Sequence, residues 1–204
     1  MIIVHHLANS RSQRVLWMLE ELGLDYEMIR YARSPDTFQA PPELAKVHPL
    51  GKAPVIELDG EVIAESGAIL EELGSLSPGR LEPPSGGVER RAWRNWLHYA
   101  EGSAMPALLQ AMNFKRHAPD VPDRVAGDLE RHLRWVDAAL RQGDWLLPSG
   151  FGSADIQLST FAEMAAFAGH ADGLPNLLGW LARCQARPAY RRALQRGGAY
   201  AFAR

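Results

Sequence analysis

Residues 48–70 read HPLGKAPVIELDGEVIAESGAIL, and this stretch decides the fold of the first part of the chain. Val55-Ile56-Glu57-Leu58 and Val62-Ile63-Ala64 are short apolar runs of strand type. Asp59-Gly60 between them signals a tight hairpin, which needs positive φ where Asp and Gly tolerate it. Glu65-Ser66-Gly67 follows, and then Ala68-Ile69-Leu70-Glu71-Glu72-Leu73 has helical spacing. Ser66 or Gly67 therefore stands at or beside a helix N-terminus, where unpaired N–H groups and the helix dipole attract an anion. Upstream, Lys52-Ala53-Pro54 leads into the first strand. A proline there removes one ladder donor, and a cis bond would turn the N–H and C=O of Ala53 outward. An outward backbone pair beside an anion-binding helix start suits an extended peptide with a free carboxylate.

Working back to the N-terminus, Ile2-Ile3-Val4-His5-His6-Leu7 reads as a buried strand and Ala8-Asn9-Ser10-Arg11-Ser12 as a polar turn. Val15, Met18, Leu19 and Leu22 form the apolar face of a helix that Gly23 ends as a C-terminal cap. Tyr26 to Tyr31 alternates like a second strand, completing a βαβ unit with parallel strands. Residues 34–47 hold at most a short helix at Glu43 to Lys46. The order βαβ, irregular, ββα is that of a thioredoxin-like domain.

Working forward, SLSPGRLEPPSGG (75–87) is a change of texture rich in Pro, Gly and Ser, and marks a domain boundary. We place a thioredoxin-like domain at 1–77, a linker at 78–87 and an all-helical domain at 88–204: an α/β domain followed by an all-α bundle. Helices are expected from Glu89 to Met112 (interrupted at Gly102 and Pro106), Asp123 to Leu140, Ala154 to Ala168, Pro175 to Ala186 and Ala189 to Leu194.

Composition narrows the function classes. A net charge of -2 gives no global basic field, so neither nucleic acid nor an anionic membrane is expected as partner. Arg183, Arg187, Arg191, Arg192 and Arg196, at helical spacing, read as a solvated face. A single cysteine, Cys184, excludes an internal disulfide and a cysteine-rich zinc site. The seven histidines show no ligand-like pairing, His5 and His6 pointing to opposite faces of one strand, so no metal is expected. No charged n-region with an apolar h-region opens the chain, and no apolar run approaches the ~20 residues of a membrane span. The expectation is a soluble cytoplasmic protein.

Residues 48–70 resemble the glutathione-binding half of cytosolic glutathione transferases, whose motif is roughly Asn-Pro-x-Gly-x-Val-Pro, two strands, then Glu-Ser-x-Ala-Ile. This chain has His48-Pro49-Leu50-Gly51-Lys52-Ala53-Pro54 and Glu65-Ser66-Gly67-Ala68-Ile69. His48 replaces the usual Asn and Ala53 the usual Val, and neither change removes a backbone contact. SRSQRVLWMLEELGLDYE (10–27) resembles a bacterial and fungal branch of the family, and LLGWLARCQARPAYRRAL (177–194) its closing helices. Ala154-Asp155-Ile156 is similar to the family's buried Ser/Thr-x-x-Asp capping motif, with Gly152 at the cap; Asp155 can still bond back to the cap N–H.

The resemblance implies glutathione as co-substrate and conjugation of its thiol to a small electrophile, a detoxification chemistry, or a related reaction such as peroxide reduction. A symmetric homodimer is implied as well. The rival reading is a non-catalytic interaction module of the same architecture, since fold alone does not separate the two. Glutathione contacts fall on the Ala53 backbone beside Pro54, on Ser66 for the carboxylate, on Glu65 for the γ-glutamyl ammonium, and on Lys52 and Gln39. The turn after the first strand has no Cys-x-x-Cys, which excludes two-thiol disulfide exchange. There Ser10 is the choice as thiol-activating hydroxyl, four residues before Arg14, with Asn9 and Ser12 as alternates. The ordinary alternative for Ser10 is a plain helix cap. Tyr99, Ser103, Met112 and Phe114 are candidates for a second-substrate pocket between the domains, although aromatic and Met residues at helical spacing are more often core.

Overall fold

The computed structural model describes residues 1–117 and 124–203. The expected helix start at Asp123 lies outside the described residues. In chain order the elements begin with β1 (Ile2–Leu7), α1 (Ser12–Leu22), β2 (Glu27–Tyr31), α2 (Leu44–Val47), β3 (Val55–Leu58), β4 (Glu61–Ala64) and α3 (Ser66–Ser75). They continue with α4 (Gly87–Tyr99), a π-helical turn (Ala100–Ala104), α5 (Met105–His117), α6 (Arg124–Ala139), α7 (Ser153–Phe167), α8 (Pro175–Ala186) and α9 (Pro188–Gly197). Contacts divide the chain into two compact units, Met1–Leu81 with Ala186–Arg204, and Glu82–Gln185. Of the residues read as one helical domain, the last stretch thus keeps company with the sheet.

In the first unit the strand order is β2-β1-β3-β4, with β1 parallel to β2 and antiparallel to β3, and β3 antiparallel to β4. This is the mixed sheet of a thioredoxin-like fold. The hairpin forms where expected, Asp59 at φ 50 and Gly60 at φ 91 supplying the positive φ that a tight turn requires. Gly23, at φ 66, caps α1 through its N–H to the Leu19 carbonyl. Val15 to Leu19 of α1 are all buried, since neighbours cover more than one side of the helix: β1, α3 and α9 all pack on it.

Arg191, Arg192 and Arg196 are exposed, as their spacing suggested, but several of the C-terminal arginines are also paired across to α1. Arg187 grips Glu21 of α1 through Nε (2.6 Å) and NH2 (2.9 Å), while Arg192 Nε reaches Glu20 Oε2 at 2.9 Å and Arg196 NH1 reaches Glu20 Oε1 at 3.4 Å. Charge-assisted pairs of this kind clamp α9 onto α1. Spacing along one helix carries no information about the acidic pair waiting on another.

In the second unit the break expected near Gly102 and Pro106 takes the form of a π-helical turn. Pro106 has no N–H to close an i−4 bond, and its ring would collide with the Gly102 carbonyl; a wider turn removes that collision. Trp93, Phe161 and Trp180 are fully buried, and Trp93 Nε1 donates to Ser153 Oγ at 2.8 Å. Asp155 accepts from Gly152 N (3.0 Å), Leu146 N (3.1 Å) and Trp180 Nε1 (2.7 Å), so the surviving half of the capping box also ties down a loop and a tryptophan. Burial nevertheless pushes its carboxyl up to about 6. Asp137 on α6 accepts from Asn176 N and Leu177 N, capping α8 from a neighbouring helix. Among the described residues no strand lies beyond Gly87, and no helix is long and apolar enough to cross a membrane.

Candidate functional site

Register brings four loops to one end of the sheet. Leu7 pairs with Tyr31, His5 with Val55 and Val55 with Ala64, so the C-terminal ends of β1, β2 and β4 and the start of β3 share an edge. The Ala8–Arg11 turn, the 32–43 loop, Ala53-Pro54 and Glu65-Ser66 all issue there. Arg33 ties two of these loops together. Its Nε donates to Ala8 O (2.8 Å), NH2 to Asn9 O (3.0 Å) and NH1 to Phe38 O (2.7 Å), which fixes the loop carrying Gln39 against the serine turn.

In the serine turn Asn9 takes a left-handed conformation, φ 51, which Asn tolerates better than most residues. Its Oδ1 accepts from Ala201 N at 2.7 Å. Ser10 is half-buried and its Oγ accepts from the N–H of Ser12, the first residue of α1, at 3.1 Å, one position outside the cap residue Arg11. The same oxygen stands 2.8 Å from Ser12 Oγ. Ser12, the first residue of α1, has a wholly buried side chain whose oxygen accepts from Leu7 N at 3.2 Å and lies 2.8 Å from His6 Nδ1. Burial lowers the pKa of His6 to about 4, a backbone hydrogen bond with Gly197 opposing the shift and the Arg30 charge adding to it. His6 is therefore neutral at neutral pH.

At the second anchor, Glu65 holds φ 69, an uncommon conformation for a non-glycine residue, and Ser66 opens α3. The Ser66 side chain is buried, and Arg14 NH1 donates to its Oγ at 3.2 Å, linking the starts of α1 and α3. The Ala53–Pro54 bond is cis, as the sequence led us to expect. Pro54 is buried and Ala53 half-buried, while Lys52, Glu65 and Gln39 are exposed. Ser10, Ser12, Ala53, Pro54, Glu65 and Ser66 thus share the loop end of the sheet, with Gln39 tied in through Arg33.

The residues named for a second substrate lie in the helical unit. Tyr99 O–H is engaged with His132 Nδ1 at 2.8 Å, and its ring packs against Trp96 and Trp135. Burial pushes its hydroxyl pKa up. Ser103 is exposed on the π-helical turn, and Met112 and Phe114 are half-buried on α5. Two positions apart on a helix lie about 200° apart around its axis, so Met112 and Phe114 do not line one stripe.

Three residues at the loop end escaped the sequence reading: His6, Arg14 and Arg33. Arg14 is 1% exposed inside an apolar helix, and a cation in a run such as Val15 to Leu19 is the one signal that was on view. His6 meets Ser12 six residues on, and Arg33 reaches back 25 and 24 residues to the Ala8 and Asn9 carbonyls, contacts that no helix or strand periodicity reports.

The profile of the family "Glutathione S-transferase, N-terminal domain" matches residues 10–76, and that of "Glutathione S-transferase, C-terminal domain" matches residues 119–183. Glutathione S-transferase 3 of Schizosaccharomyces pombe is 31% identical over 220 aligned positions, covering 96% of this chain and 88% of the relative. The crystal structure of a glutathione S-transferase from Actinobacillus pleuropneumoniae superposes with a TM-score of 0.90 at 30% identity, covering 98% of this chain and 94% of that one. A family member from Pseudomonas fluorescens, solved with two glutathione molecules bound, superposes with a TM-score of 0.80 at 29% identity over 95% and 92% of the two chains.

Proposed function

Because this chain belongs to the glutathione S-transferase family, we propose that it conjugates the thiol of glutathione to a small electrophile. The observation that carries this reading is the common edge of the sheet, where a half-buried hydroxyl and a helix start with a buried serine stand on adjoining loops. Ser66 and the first N–H groups of α3 take the glycyl or γ-glutamyl carboxylate, using the positive end of the helix dipole. The Ala53 backbone beside Pro54 holds the extended peptide, Glu65 meets the γ-glutamyl ammonium, and Lys52 and Gln39 supply outer contacts. Ser10 faces the sulfur. What favours it over Ser12 is exposure, since the Ser12 hydroxyl is wholly buried; Asn9, whose Oδ1 accepts from Ala201 N, keeps its amide N–H groups as donors and stays the alternate. A hydrogen bond from Ser10 to the sulfur stabilises thiolate over thiol and so lowers the thiol pKa.

Titration calorimetry with glutathione, beside an initial-rate assay with a generic electrophile, tests this reading. Glutathione should bind and the assay should show turnover; absence of both favours the interaction-module alternative. A carboxylate contact acts equally in ground and transition states, so Ser66→Ala should raise the glutathione KM with little change in kcat. A fall in kcat at unchanged KM would remove Ser66 from that role.

A homodimer belongs to the same proposal. Large apolar side chains remain exposed in both units, Ile29 and Val62 in the first, Trp135 and Phe167 in the second, and a partner copy gives them a reason. Sedimentation at micromolar concentration should return twice the 22.6 kDa chain mass; a monomer mass there removes the dimer from the reading.

A further inference from the structure

We propose that Arg33 is a positioning residue for the thiolate: it binds the carbonyls of Ala8 and Asn9 to itself and hangs an uncompensated positive charge on the serine turn. This rests on the reading that glutathione binds with its sulfur at Ser10.

A guanidinium is a fixed fork of donors, and this one meets three backbone oxygens from two separate loops. Nε and NH2 donate to Ala8 O (2.8 Å) and Asn9 O (3.0 Å), consecutive carbonyls of the serine turn, and NH1 donates to Phe38 O (2.7 Å). Asn9 and Phe38 are two of the four described non-glycine residues with positive φ, at 51 and 57. Such conformations persist only where the surroundings over-determine them, and here one side chain holds both. In a trans peptide the C=O and N–H groups point in opposite directions. With both carbonyls on Arg33, the negative ends of the Ala8–Asn9 and Asn9–Ser10 peptides lie against the cation. Turning either one toward a sulfur at Ser10 would break a bond to the fork.

Arg33 also has no counter-charge. Arg90, Arg187, Arg192 and Arg196 each meet a carboxylate, whereas among the described residues none forms an ion pair with the half-buried Arg33. Burial pulls its pKa down, yet a guanidinium stays protonated at neutral pH. A cation bonded only to neutral oxygens stabilises an anion placed near it. Glutathione is such an anion, with two carboxylates and one ammonium before its thiol ionises and a further negative charge after. The other charged side chains of these loops are Arg11, Asp36, Glu43, Lys52 and Glu65, three acids against two bases, and His6 behind the turn is neutral. Arg33 therefore keeps this end of the sheet from facing an anionic peptide with a net negative charge.

The test titrates the bound thiol by the ultraviolet absorbance of its thiolate, at saturating glutathione, in wild type, Arg33→Gln and Arg33→Lys, with calorimetry for affinity. The wild-type bound thiol should titrate below that of free glutathione. Arg33→Gln should raise it by about one pH unit, which is about tenfold less thiolate near neutral pH. Arg33→Lys keeps the cation but has no fork, and should recover only part of the shift. If Arg33 did no more than hold the 34–39 loop, Arg33→Gln would weaken affinity and leave the thiol titration unmoved; that result overturns the proposal. Full recovery in Arg33→Lys overturns the role of the fork, and decides even if Arg33→Gln does not fold. Glutathione bound by the wild type with an unlowered thiol pKa also overturns the proposal and leaves the binding reading standing. No glutathione binding by the wild type defeats both.

Discussion

Ser10→Ala should leave glutathione affinity nearly intact and lower the conjugation rate near neutral pH by roughly ten- to a hundredfold, with the loss recovering as pH rises. A hydrogen bond to a charged group contributes roughly 1.5–3 kcal/mol, equivalent to about one to two pH units in the pKa of the bound thiol. Above that shifted pKa, alkali supplies the thiolate that the hydroxyl no longer stabilises, so the two rates converge. The measurement is a pH–rate profile for wild type, Ser10→Ala, Ser12→Ala and Asn9→Ala with one electrophile at saturating glutathione. If Ser10 faces the sulfur, the buried Ser12 hydroxyl acts only through its 2.8 Å contact with Ser10, so Ser12→Ala should shift the profile in the same direction and the double variant should be no worse than the poorer single. An unchanged Ser10→Ala profile beside a shifted Asn9→Ala profile would move the activating role to Asn9. If none of the three shifts, backbone N–H groups at the start of α1 remain as the activators.

Asp155→Ala should destabilise the helical unit by about 3–5 kcal/mol, because it leaves the N–H groups of Leu146 and Gly152 and the indole of Trp180 without their acceptor. Urea unfolding followed by tryptophan fluorescence reads this directly, since Trp93 and Trp180 are both buried in that unit. A loss below ~1 kcal/mol would mean that water or the backbone replaces the carboxylate. The same residue carries a pH signature. Its carboxyl is raised from 3.8 to about 6, so between those values the folded state binds more protons than the unfolded one. Its contribution is then largest below about pH 4 and declines as pH rises through 6, opposite in sign to an ordinary salt-bridged carboxylate. Asp155→Asn keeps one acceptor oxygen and cannot titrate, and should flatten that slope.

The hairpin of β3 and β4 was legible because its signals are local: two apolar runs, Asp-Gly between them and a serine where the next helix starts. The two-part architecture and the cis Ala53–Pro54 bond could be read for the same reason, helped by the family resemblance. What escaped depends on partners far along the chain. The pairing of Arg187 and Arg192 was hidden because Glu21 and Glu20 precede them by more than 160 residues. His6 looked like an ordinary strand residue because Ser12 and Gly197 meet it only in the folded chain. The interruption at Pro106 was visible, but whether it would be a break or a widened turn depends on how the flanking helices pack, and composition does not say.

The seat of α9 against α1 also bears on how such proteins can recombine. A family of this kind invites description as two exchangeable modules joined at a linker, with any front half compatible with any back half. Here the front half is completed by the last segment of the back half, which brings Gly197 to His6, Ala201 to Asn9 and Arg187 to Glu21. A chimera crossed once at the linker would inherit a stranger's final helix against its own serine turn. Inheritance of an intact first module therefore takes two crossovers, one on either side of the helical segment, and this chain's evolution is constrained at both places together.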